Sequence, residues 1–363
     1  MKQNNLFTAV LCLFLLVSLT TTAQLQTPQA SAKATVMQRV GVTDISVTYS
    51  RPSVNGRELW GSLVPYGMNN LGFGTATAAP WRAGANENTT ITFANDATVE
   101  GKTIKAGTYG LFFEVKPNNE ATLILSHDTQ AWGSFFYDKN RDALRADIAT
   151  TEAPHHELLT FEFSNITPTS AVLSLVWGKK AFPVNISVNT TQIVLDDFKA
   201  KSTGQFGFNR QNWEQAAAYA LNNGGDLNEA LTWIDGAIAG NFYSQKNFNN
   251  VAIKAQILNK MGRTDEYASL MDEAAGMANK QQLNALGYQM IAAKDYERAE
   301  KYFKQNIANH PEDPNGYDSL GECYKNMGDT KNAIKYFKKS LSMNPPANVK
   351  ANSEKHLKEL GAL

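Results

Sequence analysis

The hydrophobic pattern along this chain changes period once. Between residues 33 and 188, β-branched and aromatic residues fall in short runs separated by Gly, Asn and Pro. Such runs read as strands: 34–40, 45–49, 89–93, 98–99, 109–115, 121–125, 144–149, 158–163, 171–177 and 182–188. Glu100-Gly101-Lys102 joins two short strands as a hairpin, Ala106-Gly107 resets the chain before Thr108-Tyr109, and Pro117-Asn118-Asn119 closes one strand and opens the next. About ten strands with no amphipathic helix among them predict an all-β domain, a sandwich in preference to a barrel.

Beyond residue 211 the pattern becomes helical and repeats. Leu286-Gly287 returns as Leu320-Gly321, Ala299 as Ala333, Phe303 as Phe337 and Pro311 as Pro345, a spacing of 34 residues. That period belongs to stacked helix-turn-helix units. Small residues let paired helices approach, the Phe fills the gap between them, and the Pro stops the second helix. A further unit is anchored at Ala218 and Ala230, and a weaker copy lies around Ala255 and Gly262. Residues 347–363 supply an amphipathic helix that caps the array, as terminal repeats require. The expected organisation is a β-sandwich over 33–188, a linker over 189–211, repeats over 212–346 and the cap.

Lys2, an apolar run over residues 6–19 and the small residues up to Ala23 predict a secretory signal peptide, 1–23, cut near Ala23. The run is shorter than the roughly 20 residues of a membrane span, so no stable span is expected after cleavage. Cys12 lies in mid-run and is not read as a lipidation site. Export places the protein in the periplasm or on the outer surface of a Gram-negative bacterium. The mature chain then keeps Cys323 alone, two residues after Gly321, where a packed thiol is expected rather than a disulfide or a reactive group.

Charge narrows the function classes. Lys+Arg and Asp+Glu both total 34 in 363 residues, so no net field draws the chain to nucleic acid. The histidines give no metal spacing: His155 and His156 are adjacent and on a strand would face opposite sides. No HExxH, GxSxG, GxGxxG or GxxxxGK[ST] pattern occurs, so no metal, no cofactor and no nucleophilic site is predicted.

Two polar segments are dense in recognition chemistry. Ser50-Arg51-Pro52-Ser53-Val54-Asn55-Gly56-Arg57 and Trp81-Arg82-Ala83-Gly84-Ala85-Asn86-Glu87 each adjoin a predicted strand, which would set both at one rim of the sandwich. Arg51, Arg57 and Arg82 offer donor forks for carboxylate or phosphate, with Asn86 and Glu87 to orient them or to bind a sugar hydroxyl. The plainer reading is that Glu87 pairs with one or two of these arginines and pins the loop. A third cluster, Trp132-Gly133-Ser134-Phe135-Phe136-Tyr137, has the composition of a sugar-stacking platform, or equally of edge cover. Residues 66–80 form a long loop with no helical or strand pattern, a ligand-meeting loop or a cover for a sheet edge.

These segments carry a resemblance. Ser50-Arg51-Pro52-Ser53-x-x-Gly56-Arg57, Leu63-Val64-Pro65-Tyr66-Gly67, Trp81-Arg82-x-Gly84-Ala85-Asn86-Glu87, Ala106-Gly107-Thr108-Tyr109 and Trp132-Gly133 resemble the successive motifs of an uncharacterised bacterial family, domain of unknown function 2911. The resemblance covers roughly 33–187 and implies a secreted β-rich domain with no activity attached. The chain departs from the family pattern by setting residues 68–80 between the Pro-Tyr-Gly and Trp-Arg motifs. The helical part resembles tetratricopeptide repeats, which implies protein–protein interaction.

The functional expectation is an exported scaffold whose helical repeats bind a protein or peptide, and not an enzyme. Its first alternative is a small-ligand or carbohydrate module using Arg51, Arg57, Arg82, Asn86, Glu87, Trp132 and Tyr137. The second is a hydrolase with dispersed residues, Glu87 among them.

Overall fold

The computed structural model describes residues 27–363, so the expected signal peptide lies outside the described residues. The chain divides between Thr190 and Thr191 into two compact units.

The first unit is a sandwich of two antiparallel sheets. Strands β1 (Ala32–Val40), β2 (Thr43–Arg51), β3 (Thr90–Phe93), β6 (Gly107–Val115), β7 (Glu120–Ser126) and β8 (Asp142–Ala149) form a six-stranded sheet in the order β1-β2-β3-β6-β7-β8. Strands β4 (Ala97–Val99), β5 (Lys102–Ile104), β9 (Thr151–Ser164) and β10 (Ser170–Ser187) form the second sheet in the order β5-β4-β10-β9. Alternation decides the faces. Leu111 and Phe113 of β6 meet Leu173, Leu175 and Phe182 of β10 between the sheets, whereas Phe112 and Glu114 point the other way. The hairpin between β4 and β5 turns on Glu100 and Gly101, both at positive φ (47° and 75°), as a two-residue turn of matching twist requires.

Two sequence expectations change here. The segments 171–177 and 182–188 are one strand, β10, whose pairing with β9 shifts register on either side of Gly178. Gly178-Lys179-Lys180 reads as a turn but forms a bulge, with Gly178 at φ +59° and no room for a Cβ beside Leu59. The expected linker, 189–211, is mostly ordered structure: helix α1 (Thr190–Ser202), followed by a 3-10 turn (Gln205–Phe208). Leu195 and Phe198, spaced three apart on one face of α1, are buried in the core of the second unit.

That unit continues with α2 (Arg210–Asn223), α3 (Leu227–Ile238), α4 (Phe248–Lys260), α5 (Thr264–Met277), α6 (Lys280–Ala292), α7 (Tyr296–Asn309), α8 (Pro314–Met327), α9 (Thr330–Leu341) and α10 (Ala347–Glu359). Consecutive helices pair as hairpins, α2 with α3, α4 with α5, α6 with α7 and α8 with α9, and α10 closes on α8 and α9. Most starts are capped by sequence: Asp226, Asn247, Asn279, Asp295, Asp313 and Asp329 each accept a backbone N–H of the following helix.

Candidate functional site

The repeat residues show why the period exists. Gly287 on α6 lies under the ring of Phe303 on α7: a Cβ there would sit 2.4, 2.5 and 2.8 Å from three ring carbons. Gly321 on α8 repeats the arrangement beneath Phe337 on α9, with a closest approach of 2.8 Å. Ala299, Phe303, Ala333 and Phe337 are fully buried. Pro311 and Pro345 follow the ends of α7 and α9. Cys323 is buried, and burial pushes its thiol up to about 11.

First helices of neighbouring units adjoin, α6 beside α8 and α8 beside α10. The same 34-residue step therefore lines up Tyr288, Glu322 and His356, and a second row of Asn284, Asp318 and Asn352. The rows are cross-linked. Tyr288 Oη donates to Glu322 Oε1 at 3.2 Å, Asn352 Nδ2 donates to Asp318 Oδ2 at 2.8 Å and to Glu322 Oε1 at 2.6 Å, and Ser353 Oγ donates to Asp318. Burial holds the Asp318 carboxyl above the usual range and holds the Tyr288 hydroxyl neutral.

In the sandwich, the three predicted arginines do not converge. Arg51, ending β2, donates from Nε to Leu159 O at 2.9 Å and from Nη2 to Thr160 Oγ1 at 2.7 Å, tying the six-stranded sheet to β9. Arg57 turns back on its own loop, to Val54 O at 3.1 Å and Ser53 O at 2.5 Å. Arg82 goes elsewhere, beneath the chain at Gly133, where an added Cβ would lie 2.2 Å from its Nη1. The two polar segments meet through backbone instead: Gly84 packs against Ser50.

The expected pairing of Glu87 with these arginines is not formed. Glu87 is exposed and, among the described residues, makes no ion pair with any of them. Asn86 stands at φ +59°, which Asn tolerates, presenting its carbonyl to Arg82 Nη1 at 3.3 Å while its side chain donates to Ser31 O at 3.2 Å. The acid that organises the first segment is Glu157. It accepts from Ser53 Oγ and from Asn55 N at 2.8 Å, and lies 3.2 Å from His155 Nε2, which together lower its carboxyl to about 2.

The long loop, residues 68–80, lies across the outer face of the six-stranded sheet. Ala76 and Ala79 cover Phe112, Ile124 and Tyr137 there, with Met68 at the edge. Two pockets result. The larger, about 620 Å³, is bordered by Thr75 and Thr77 of the loop and by Glu114, Tyr137, Lys139 and Arg145. Its central groups bond one another, with Asp142 Oδ1 left without a hydrogen-bond partner among the described residues. Arg145 donates to Glu114 Oε2 at 3.0 Å, to Asp142 Oδ2 at 3.1 Å and to Tyr137 Oη at 3.0 Å, and Tyr137 donates to Asp142 Oδ2 at 2.8 Å. The smaller, about 200 Å³, is walled by Pro65, Leu71, Pro80, Trp81 and Phe135, with Arg82 in its lining. Trp132 is outside both linings, and its side chain is 56% exposed.

Sequence reasoning missed Trp60 and Trp177. Trp81 stacks on Trp177 at 6.0 Å and meets Trp60 edge-on at 5.7 Å, so the wall behind Arg82 is a packed aromatic cluster. Three tryptophans 60, 81 and 177 residues into the chain carry no local signal of that convergence. Among the described residues no group of three or more His, Cys, Asp or Glu is placed to hold a metal, and no helix is long and apolar enough to cross a membrane.

Residues 31–186 match the family described as protein of unknown function DUF2911. Within this matched region, the DUF2911 domain, the Trp-Arg motif meets the Trp-Gly motif at Arg82 and Gly133 and the Ser-Arg-Pro-Ser motif at Gly84 and Ser50. Residues 314–346 match the tetratricopeptide repeat family, and they span α8 and α9.

No curated protein matches the chain. Solved structures similar to it include MamA, at 15% identity over 43% of this chain and 89% of that one, TM-score 0.31. A tetratricopeptide repeat protein from Parabacteroides merdae is 15% identical over 48% of this chain and 68% of its own, TM-score 0.33. The C-terminal part of a repeat protein from Cytophaga hutchinsonii is 15% identical over 47% and 69%, TM-score 0.33.

Proposed function

We propose that this protein is an exported scaffold whose helical array holds a protein or peptide partner, with the DUF2911 domain serving a second binding role. The observation that carries the reading is the adjacency of first helices α6, α8 and α10, which sets equivalent side chains side by side at each 34-residue step. A surface built this way is extended and modular, suited to another chain rather than to a reaction. Because Tyr288, Glu322, Asn352 and Asp318 already bond one another, they shape the wall, and the exposed residues one turn further along, Ala292 and Asn326, meet the partner. The partner is a periplasmic or surface protein, in keeping with the apolar segment and the small residues up to Ala23.

The test uses the full mature chain as bait in periplasmic extract, beside a variant carrying Ala292→Arg and Asn326→Arg. A specific partner should be captured by the first and lost from the second, with unchanged circular dichroism. Equal capture by both would move the binding surface elsewhere. N-terminal sequencing of chain released by osmotic shock checks export, with a start near Gln24 expected.

A further inference from the structure

Of the three arginines Arg51, Arg57 and Arg82, Arg82 has the fewest hydrogen bonds among the described residues. Arg82 is partly buried, and burial depresses its ionisation. Among the described residues its one hydrogen bond is to Asn86 O at 3.3 Å, a long contact for a group with five N–H donors. Among the described residues it has no carboxylate partner. Arg145, in the larger pocket, is the contrast, with Glu114 and Asp142 both engaged. A desolvated charge without a counter-ion is strongly unfavourable unless something else completes it.

What surrounds Arg82 states the kind of completion. The pocket it lines is about 200 Å³, and among its described lining residues Arg82 alone carries a charge. Pro65, Leu71, Pro80, Trp81 and Phe135 make the rest of the enclosure predominantly apolar. A cavity of about 150 Å³ accommodates a benzene-sized body. The two uncharged polar residues of the lining are engaged, Ser134 donating its hydroxyl to Pro80 O at 2.7 Å and Asn69 its side-chain amide to Gly67 O at 3.0 Å. The cradle is built by backbone that only special residues allow: Gly133 at φ +67°, with no space for a Cβ above Arg82 Nη1, and Asn86 at φ +59°.

We propose that this pocket binds a small organic carboxylate with an apolar body, the carboxylate on Arg82 and the body against Trp81, Leu71 and Phe135. The planar fork matches a carboxylate in two parallel hydrogen bonds, and the apolar walls disfavour a fully hydrated oxyanion such as free phosphate. All the residues that line the site belong to the first unit.

Calorimetric titration of the full mature chain tests this with four probes: phenylacetate, phenylacetamide, acetate and inorganic phosphate. Phenylacetate should bind at least about tenfold more tightly than each of the others. Phenylacetamide binding equally well would remove the role of charge, and phosphate or acetate binding equally well would remove the role of the apolar walls. Either result overturns the proposal, as does absence of phenylacetate binding. Arg82→Gln should abolish the interaction. Should that variant fail to fold, Leu71→Asp, at a position 40% exposed at the mouth, should weaken phenylacetate about tenfold by like-charge repulsion while the fold persists. Undiminished binding in a folded form of either variant also refutes it.

Discussion

Replacing Gly287 by Ala tests the physical basis of the repeat. The added methyl would lie 2.4–2.8 Å from three carbons of the Phe303 ring, against an optimal separation of about 3.5–4.0 Å. The ring must therefore retreat by about 1 Å, yet Phe303 is fully buried and has nowhere empty to go. Overpacking of this kind costs about 1–3 kcal/mol, and a shortfall against three atoms puts Gly287 at the upper end. Ala in place of Gly inside a helix returns about 1 kcal/mol, leaving a net loss of about 2 kcal/mol. Gly276, on α5, is the control, because a Cβ there meets nothing within 4 Å. Gly276→Ala should gain up to about 1 kcal/mol from propensity alone.

Urea unfolding followed by helical ellipticity measures both. With a urea dependence of about 1–3 kcal/mol per molar, Gly287→Ala should lower the midpoint by roughly 1 M while Gly276→Ala leaves it level or raises it. Phe303→Leu should be destabilising alone but should partly rescue Gly287→Ala, with a coupling of about 1 kcal/mol or more between the two sites. Were Gly287→Ala as stable as wild type, or the two substitutions simply additive, the glycine would not be there to admit the ring.

Arg51→Leu should destabilise the sandwich by about 2 kcal/mol, because it strands Leu159 O and Thr160 Oγ1 without their charged donor; thermal unfolding of the variant reads the loss. Glu157 titrates near 2 in the folded chain against an ordinary 4.5, so its contribution is complete above about pH 4.5 and disappears as pH falls toward 2. Wild type should accordingly lose more stability across that window than Glu157→Gln, as acid titrations of both would record. Cys323, with its thiol pushed up to about 11 and fully buried, should resist a disulfide-exchange reagent at pH 8 in the native chain and react on addition of urea. Rapid reaction in the native state would contradict its burial.

Local patterns exposed much of this architecture. Runs of β-branched and aromatic residues between turn residues marked most strands, and the 34-residue recurrence marked the hairpins from α6 to α9, because both signals can be read along the chain without knowing what packs on what. Helix α1 escaped, since Leu195 ends a three-residue apolar piece too short to show a period, while Phe198 stands between charged residues and gains meaning only through the packing of Trp213 and Trp233 on it. The bulge at Gly178 escaped for a related reason: Gly-Lys-Lys has turn chemistry, and the contact with Leu59 that requires the glycine lies more than a hundred residues away in sequence.

The candidate site was harder still to read, because its residues were visible while their states were not. Arg51, Arg57 and Arg82 are equivalent as letters, each beside a Pro, Gly or Trp in a polar segment. The fold separates them by how completely their donors are used. Arg51 has a carbonyl and a hydroxyl at 2.9 and 2.7 Å, Arg57 has two carbonyls at 3.1 and 2.5 Å, and Arg82 has one carbonyl at 3.3 Å. The first two are consumed in holding the loop and the sheets together. The third is partly buried with most of its donors left over among the described residues, so no counter-charge there offsets its burial. A ligand carboxylate is the group that would offset that burial, so under the proposal above the least satisfied arginine, and not the most contacted one, is the residue that carries binding in the first unit.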